Sequence, residues 1–441
     1  MKPRRQLGLA EATGLSLSIV APTMAMAFNV TLVVAVAGRA APLAFAIGTA
    51  LLALVGFSFV TFAQRETSAG SAQAYVCTQF GPRAGFLAGW MLLLSYLCFG
   101  AGTAVLVGHF ASAAIGDAGI RTGDLWIPVS VTSVAIGLGF SWRDMQSVAR
   151  LILVLELVSV AAIAVLSLHI LWVVAQSGPL PAAPFFPDPD RGWVGIGLAL
   201  VFTVLSFAGF EGAATVAEET KTPQRAIPLA ILGTIVLSGV FYVFAAYAQV
   251  VGYAGDGLGD MAQDSAPLDT LARRYGTASL AACLNIAAAL SAFSCVLGSL
   301  NAAARMIMVL ARDGQHALAR LHHCHGTPTN ALALCATVIT AFILIWAARV
   351  GVGDFYGYIG TIGSLALILV YIGVCMAHAA FGRSRGGWAG FIAGGAGTAM
   401  LIWPLYNSLD PVPVWPGNLW PYVVLAWLAA GAMLSRTMAR Y

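Results

Sequence analysis

Apolar residues in this chain run in long, almost uninterrupted segments and do not alternate with polar residues. Segments of about 20 residues or more lie at residues 10–36, 41–63, 84–115, 124–141, 147–175, 192–217, 226–252, 276–310, 329–349, 354–381, 387–406 and 418–436. A segment of this length and hydropathy predicts a helix that crosses a lipid bilayer. The pattern therefore predicts an all-α integral membrane protein with about twelve transmembrane helices.

The first and sixth segments each carry a helix-breaking sequence. The first break lies within residues 18–24 and contains Pro22, and the second lies within residues 206–212 and contains Gly209. A break at mid-bilayer frees backbone N–H and C=O groups that lipid cannot satisfy, so it must line a cavity walled by protein. Corresponding breaks in two halves are typical of transporters built from inverted repeats, with the solute bound at the breaks.

The two halves also restart in the same way after each break. The chain turns and a new helix begins at a proline, Pro42 in the first half and Pro228 in the second. Five helices per repeat is an odd number, so the second repeat enters the membrane inverted. We expect a single transport domain over residues 1–441, with helices 1–5 at 7–175, helices 6–10 at 191–381, and two extra C-terminal helices at 387–436.

Composition and charge exclude several classes of protein. Charged residues make up 9% of the chain and hydrophobic residues 59%, whereas soluble domains carry about 25% charge. The net charge of +4 reflects basic residues such as Lys2, Arg4 and Arg65 at predicted cytoplasmic loops, not a nucleic-acid surface. The positive-inside rule then places both termini in the cytoplasm of a multi-pass protein of the plasma (inner) membrane.

No motif of an enzyme or of a cofactor site is present. The sequence has no Ser/His/Asp set, zincin motif or Walker loop. His322, His323, Cys324 and His325 are adjacent in a predicted loop, and adjacent residues rarely converge on one metal ion. We therefore expect no enzymatic activity, no cofactor and no metal.

Glu156 and Glu211 are the carboxylates that fall deep within predicted spans. A buried charge is expensive in a membrane, so such residues usually face a cavity and take part in function. Glu211 follows the second break and either caps the resumed half-helix or acts in proton coupling or gating. Glu156 acts in coupling as well, or forms a buried ion pair with Arg305.

The breaks themselves are the predicted substrate-binding segments. Pro22 lacks an amide and disrupts the preceding turn, and the N–H groups near Met24 begin an outer half-helix that would favour a substrate carboxylate. The alternative is a simple proline kink. The predicted binding residues are Val20, Ala21, Pro22, Thr23, Met24, Ala25, Ser206, Phe207, Ala208 and Gly209, with Ser291 among the scattered polar groups of the wall. Phe207 and Phe210 are candidate gates, or simply pack in the core.

Several motifs resemble those of the amino acid–polyamine–organocation (APC) permeases. The run from Phe207 to Glu211, followed by residues 218–228, is similar to the "GFE…EExkNPxRxIP" signature, and stretches 68–75, 81–86 and 301–314 also agree. The resemblance implies the leucine-transporter-type fold, alternating access, and substrate between helices 1, 3, 6, 8 and 10. It further implies proton coupling at Glu211, a substrate cover at Phe207 and, as in sodium-coupled relatives, a cation site at Ser299.

The chain departs from that pattern in two places. The family's usual Gly-x-Gly at the first break is replaced by Pro22-Thr23-Met24, which narrows the room for a carboxylate. The helix 5 position that is often lysine in proton-coupled members holds Ser159. Protonation of Glu211 or Glu156, or a cation near Ser159 and Ser299, remains as a coupling mechanism.

These observations predict a secondary active transporter that imports an amino acid or related small amine by alternating access, with proton symport. The alternatives are an amino acid/amine or polyamine exchanger and a sodium-coupled symporter. A channel or a transporter-like sensor is the alternative from a different class. The expected partners are the small-molecule substrate, a proton or sodium ion, and the lipid bilayer.

Overall fold

The computed structural model describes residues 7–65, 70–117, 119, 122–142, 145–217, 220–254, 257–311, 318, 327–384, 387–410 and 412–438, the side chains of 117, 145–152 and 436–438 apart. Helices make up nearly all of these ranges, and the β structure within them is one isolated bridge between Leu7 and Thr220. The predicted all-α membrane fold is confirmed. His322, His323, Cys324 and His325, as well as residues 1–6 and 218–219, lie outside the described residues.

We number the membrane-crossing helices α1 to α12 along the chain. The first six are α1 (Leu9–Val20, resumed as Pro22–Met24, a π-helical turn Ala25–Asn29 and Val30–Ala37), α2 (Ala41–Ala63), α3 (Pro82–Asp117), α4 (Trp126–Ser141), α5 (Met145–Ser177) and α6 (Gly192–Phe207 with Gly212–Thr215). The others are α7 (Pro223–Gly252), α8 (Ala278–Leu310), α9 (Thr329–Phe342, Ile343–Ala347 and Ala348–Val350), α10 (Val352–Ser384), α11 (Trp388–Asn407) and α12 (Trp420–Met438).

Eleven helical stretches of the described chain are long and apolar enough to cross a membrane, and the first of them, Leu9–Ala63, has 55 residues. A continuous helix of that length would extend roughly 80 Å, more than twice the thickness of a bilayer core of about 30 Å. The chain turns within this stretch at Gly38, where φ is 58°. The stretch therefore holds two crossings, α1 and α2, which gives the twelve that were predicted.

Helices α1 and α6 are interrupted where the sequence predicts. In α1 the break is at Ala21, in the left-handed conformation with φ 46° and ψ 63°, and the helix resumes with Pro22 at its first position. A proline costs no hydrogen bond there, because the amide of that position has no helical partner. In α6 the break runs from Ala208 to Glu211 and includes Gly209 with φ 105°, a conformation that glycine adopts readily.

Helix α3 occupies the centre of the bundle. Its most apolar window is completely buried, and it packs most extensively against α8 and α10. The corresponding windows of α4, α11 and α12 are only 22%, 22% and 17% buried, so these helices lie at the periphery. Short helices Ala72–Phe80, Leu258–Gln263 and Pro267–Tyr275 lie in the connections between spans. The interior helices are thus the ones that surround the two breaks.

Candidate functional site between the two helix breaks

A narrow cavity lies between the two breaks. Residues from α1, α3, α6, α8 and α10 line it, among them Ile19, Phe99, Ala208, Cys295 and Tyr356. Its volume is about 10 Å³, which is roughly the 10–15 Å³ that a single water molecule needs. The cavity must therefore widen before a solute as large as an amino acid or amine can enter.

At the first break, side chains from other helices bond the freed backbone amides. The Thr23 N–H donates to Oε1 of Glu156 on α5 at 2.7 Å, and the Met24 N–H donates to the hydroxyl of Ser291 on α8 at 3.1 Å. The Ser291 hydroxyl donates in turn to the same Glu156 oxygen, at 3.0 Å. A carboxylate at a helix N-terminus is stabilised by the partial positive charge there. The Glu156 carboxyl group therefore lies at the N-terminus of the resumed half-helix, where an anion is favoured, and we call this place the anion position.

Two fully buried polar side chains near this break have an oxygen without a hydrogen-bond partner among the described residues. One oxygen is Oγ1 of Thr23. The other is Oε1 of Gln249 on α7, whose Nε2 donates to the Met26 carbonyl at 3.1 Å. Leaving a buried polar atom unpaired costs about 1–3 kcal/mol. The Thr23 hydroxyl lies beside the Glu156 carboxyl group, and neither Thr23 nor Gln249 lines the cavity in this conformation.

At the second break, Glu211 is completely buried and bonded by three donors. Its Oε1 accepts from the Tyr96 hydroxyl on α3 at 3.2 Å. Its Oε2 accepts from the Tyr371 hydroxyl on α10 at 2.8 Å and from the Gly209 N–H at 3.2 Å. The carboxyl group thus joins the break in α6 to two other helices that line the cavity.

Within the described part of the chain, neither Glu156 nor Glu211 forms an ion pair. The alternative of a Glu156–Arg305 pair is wrong, because Glu156 is bonded at Ser291 and Arg305 lies 14 residues further along α8, roughly 21 Å away along the helix axis. Arg305 instead donates to the Thr215 carbonyl at 3.2 Å. No group of three or more described His, Cys, Asp or Glu side chains is placed to hold a metal ion.

The two breaks are in direct contact with each other. The Ser16 hydroxyl on α1 donates to the Phe210 carbonyl at 2.9 Å and accepts from the Ala213 N–H at 3.0 Å. Beside it, Ile19 packs so closely on the second break that a Cβ added at Gly209 would lie 2.1 Å from its Cγ2. The two breaks thus share two hydrogen bonds and a close packing contact.

The predicted binding residues all lie at the breaks, but few reach the cavity in this conformation. Val20, Met24 and Ala208 line it. Ala21, Pro22, Thr23, Ala25, Ser206 and Gly209 are buried or form the breaks without lining it. The Ser206 hydroxyl accepts from the amide of Asn29 at 3.0 Å and so links α6 to α1. Substrate contact by any of these residues stays a prediction.

The two candidate aromatic gates pack away from the cavity. The Phe207 ring lies 4.9 Å from the ring of Tyr242, and the Phe210 ring lies 5.2 Å from Tyr371 and 5.5 Å from Phe59. Both phenylalanines are completely buried. From α6 it is Leu205 and Ala208 that line the cavity, so gating by Phe207 or Phe210 would require a change of conformation and stays a prediction.

The candidate cation residues are not joined by a hydrogen bond in the described chain. The Ser159 hydroxyl donates to the Leu155 carbonyl of its own helix at 2.8 Å, and the Ser299 hydroxyl lies 3.7 Å from the Cys295 sulfur. Each hydroxyl is thus engaged by its own helix. A sodium site at Ser159 and Ser299 stays a prediction.

Sequence reasoning missed Tyr96, Tyr371 and Gln249. A tyrosine within a predicted span usually bonds its hydroxyl to a partner, and this could have indicated that Tyr96 and Tyr371 take part in a polar contact. Nothing local to either residue identifies Glu211 as that partner, because the three residues lie on α3, α10 and α6.

Comparison with known proteins agrees with this architecture. The low-affinity putrescine importer PlaP of Escherichia coli K12 is 29% identical over 209 residues, which cover 47% of this chain and 45% of the importer. The methylthioribose transporter of Bacillus subtilis is 24% identical over 392 residues, 83% of this chain and 81% of that one. The branched-chain amino acid permease BcaP of Lactococcus lactis is 26% identical over 336 residues, 66% and 67% of the two chains. The chain thus spans less than half of the length of the putrescine importer.

A family model for amino acid permeases matches residues 13–394. The match includes both breaks, Glu156, Glu211 and every residue that lines the cavity. Because it extends over most of the sequence, the chain belongs to the amino acid permease family.

Proposed function

We propose that the chain is a secondary active transporter that imports an amino acid or related small amine by alternating access, coupled to proton symport. The observation that carries the proposal is Glu211, a fully buried carboxyl group at the second break with no ion-pair partner among the described residues. Burying an ionised carboxylate without a cation is costly. Such a group is suited to carry a proton across the membrane with the solute.

The hydrogen-bond partners of Glu211 suit both protonation states. A tyrosine hydroxyl both donates and accepts, and its hydrogen rotates to suit the partner. Tyr96 and Tyr371 therefore donate to the ionised carboxylate, and one of them accepts from the protonated acid. Because Gly209 also donates to Glu211, a change in protonation acts directly on the break in α6. That is the connection that coupling requires.

The wider assignment follows from the predicted topology and the relatives. Breaks in α1 and α6 support inverted repeats at residues 7–175 and 191–381, and the distribution of Lys and Arg supports a plasma-membrane protein with both termini in the cytoplasm. The similar putrescine and branched-chain amino acid carriers support a small solute with an amine or amino acid character.

Purified protein in liposomes tests the coupling. Wild-type vesicles with an imposed inward pH gradient should accumulate substrate saturably. Glu211→Gln keeps the shape and the acceptor oxygen but cannot lose a proton, so it should abolish accumulation while retaining exchange of internal for external substrate. Asp354→Asn, which removes an exposed carboxylate at the start of α10, should behave as wild type. Accumulation by Glu211→Gln equal to wild type would remove Glu211 from the mechanism.

The same vesicles separate the alternatives. Uptake that needs internal substrate indicates an exchanger, and a non-saturating ion current indicates a channel. Sodium titration of wild type and of Ser299→Ala tests the sodium-coupled symporter, which falls if uptake is indifferent to sodium in both proteins.

A further inference from the structure

The amides of the first break are bonded to oxygens of the chain itself. The N–H groups of Thr23 and Met24 are bonded to Glu156 and Ser291, and Pro22 has none. Ala21 and Ala25 donate to the carbonyls of Leu17 and Ala21, at 2.9 and 3.0 Å. A helix N-terminus binds a carboxylate through its free amides. The amides that would hold a substrate carboxylate here are therefore occupied.

The second break is occupied in the same way. Gly209 N–H donates to the Glu211 carboxylate, and Ala213 N–H donates to the Ser16 hydroxyl. The N–H groups of Ala208, Phe210 and Gly212 donate to backbone carbonyls of the same segment. Each break thus has an amide that donates to a glutamate of this chain.

What the first break leaves unpaired is a set of acceptors. Oε1 of Gln249 is fully buried and unpaired, and the equally buried Thr23 hydroxyl lies beside the Glu156 carboxyl group. The hydrogen bonds that Glu156 accepts from the Thr23 N–H and from Ser291 both go to Oε1. Acceptors without donors match the chemistry of an ammonium group, which has three N–H donors and no acceptor. An ammonium also carries the charge that complements Glu156.

None of these acceptors lines the cavity, but Glu156 is bonded to residues that lie beside it. Ser291, which bonds Glu156, lies four residues before Cys295 on α8, and residues four apart lie on the same face of a helix. Met24, whose N–H donates to the Ser291 hydroxyl, lines the cavity as well. Widening of the cavity by one turn along α8 therefore brings a solute to Glu156.

We propose that Glu156 determines the specificity of the site: it fills the anion position of the first break, so the transported solute is a primary amine that has no carboxylate. The exclusion is steric, because the Glu156 carboxyl group already occupies the place, and electrostatic, because like charges brought together away from water repel strongly. This inference rests on the proposed transport function and names its substrate class.

Matched pairs of solutes that differ by a single carboxylate test the inference on the wild-type protein in liposomes. Suitable pairs are putrescine and ornithine, cadaverine and lysine, and 3-methylbutylamine and leucine. The amine should be taken up with a kcat/KM at least ~10-fold above that of its amino acid in the preferred pair. Equal or better uptake of the amino acid in every pair would overturn the assignment of Glu156 and leave the transport function standing. Absence of saturable uptake of any of the six would overturn both.

A variant separates specificity from folding. Glu156→Gln retains an oxygen that accepts from Thr23 and Ser291 but has no charge, so it should raise the KM for the preferred amine at least ~10-fold and leave the protein monodisperse. Asp260→Asn removes an exposed carboxylate from the connection between α7 and α8 and should leave the KM unchanged and the protein monodisperse. An unchanged KM in a monodisperse Glu156→Gln protein would overturn the proposal. If that variant does not fold, the solute pairs on the wild type decide.

Discussion

Replacing Thr23 with valine should stabilise the empty protein and weaken its binding of an amine. The side chain is 0% exposed and its hydroxyl has no partner among the described residues, whereas valine has nearly the same shape without a polar atom. Removing a buried unpaired hydroxyl should add about 1–3 kcal/mol to the free energy of unfolding. If the hydroxyl accepts from a substrate ammonium, the same change removes a charged hydrogen bond of about 1.5–3 kcal/mol, or roughly 10- to 150-fold in Kd.

The assay is thermal denaturation of the detergent-solubilised protein, without solute and over a titration of the preferred amine. Without solute, Thr23→Val should denature at a higher temperature than wild type. The amine should raise the denaturation temperature of the variant only at concentrations much higher than wild type requires. Thr203→Val is the matched control, because the Thr203 hydroxyl is equally buried but donates to the Ala199 carbonyl at 3.0 Å. It should lose about 1 kcal/mol and bind the amine as wild type does.

The reasoning is refuted if Thr23→Val denatures at a lower temperature than wild type, as Thr203→Val should, and binds the amine unchanged. In that case the Thr23 hydroxyl contributes to the folded structure and not to the solute.

Three further changes test other parts of the site. Gly209→Ala places a Cβ 2.1 Å from Ile19 at a residue with positive φ. It should lower the free energy of unfolding by about 2–5 kcal/mol and give aggregated protein on size exclusion. A monodisperse, active variant would contradict the close contact. Ser291→Ala leaves an amide of the first break without its acceptor; it should lower the denaturation temperature by the equivalent of about 1–3 kcal/mol, and no change would show that the bond is not formed. Substrate should slow the alkylation of Cys295 by N-ethylmaleimide, because Cys295 lines the cavity, and should leave the alkylation of the exposed Cys283 unchanged. Mass spectrometry measures both rates. Equal rates at Cys295 with and without substrate would place the solute elsewhere.

The transmembrane helices and both breaks could be predicted because each depends on local sequence. Apolar length identifies a span without knowledge of its neighbours. Pro22 cannot donate a helical hydrogen bond, and Gly209 adopts a positive φ that other residues avoid. The predicted break within residues 18–24 is found at Ala21, and that within residues 206–212 runs from Ala208 to Glu211.

The partners of the two glutamates could not be predicted, because they come from distant parts of the chain. Glu156 and Thr23 are 133 residues apart, and Glu211 and Tyr371 are 160 apart. Depth in the membrane indicates that a carboxylate has a role but not which backbone or hydroxyl group it meets. For this reason the sequence placed a substrate carboxylate at the amides near Met24, where the structure places Glu156.

The gates illustrate a second limit. Aromatic residues next to a break suggest a cover for the solute, yet Phe207 packs on Tyr242 and Phe210 on Tyr371 in this closed arrangement. Side-chain orientation at a break depends on the positive φ of Gly209 and on the neighbouring helices, neither of which sequence spacing reports. In the proposed alternating-access cycle, a wider cavity would be needed for either ring to reach the solute.

A density map of the protein with its preferred solute bound is the most direct measurement. It should show the solute between α1, α3, α6, α8 and α10, with its ammonium group beside Glu156 and Thr23 and with the cavity wider than its present 10 Å³. Solute density at a different place, with Ala21 and Gly209 drawn into continuous helices and no space between them, would contradict the proposed site.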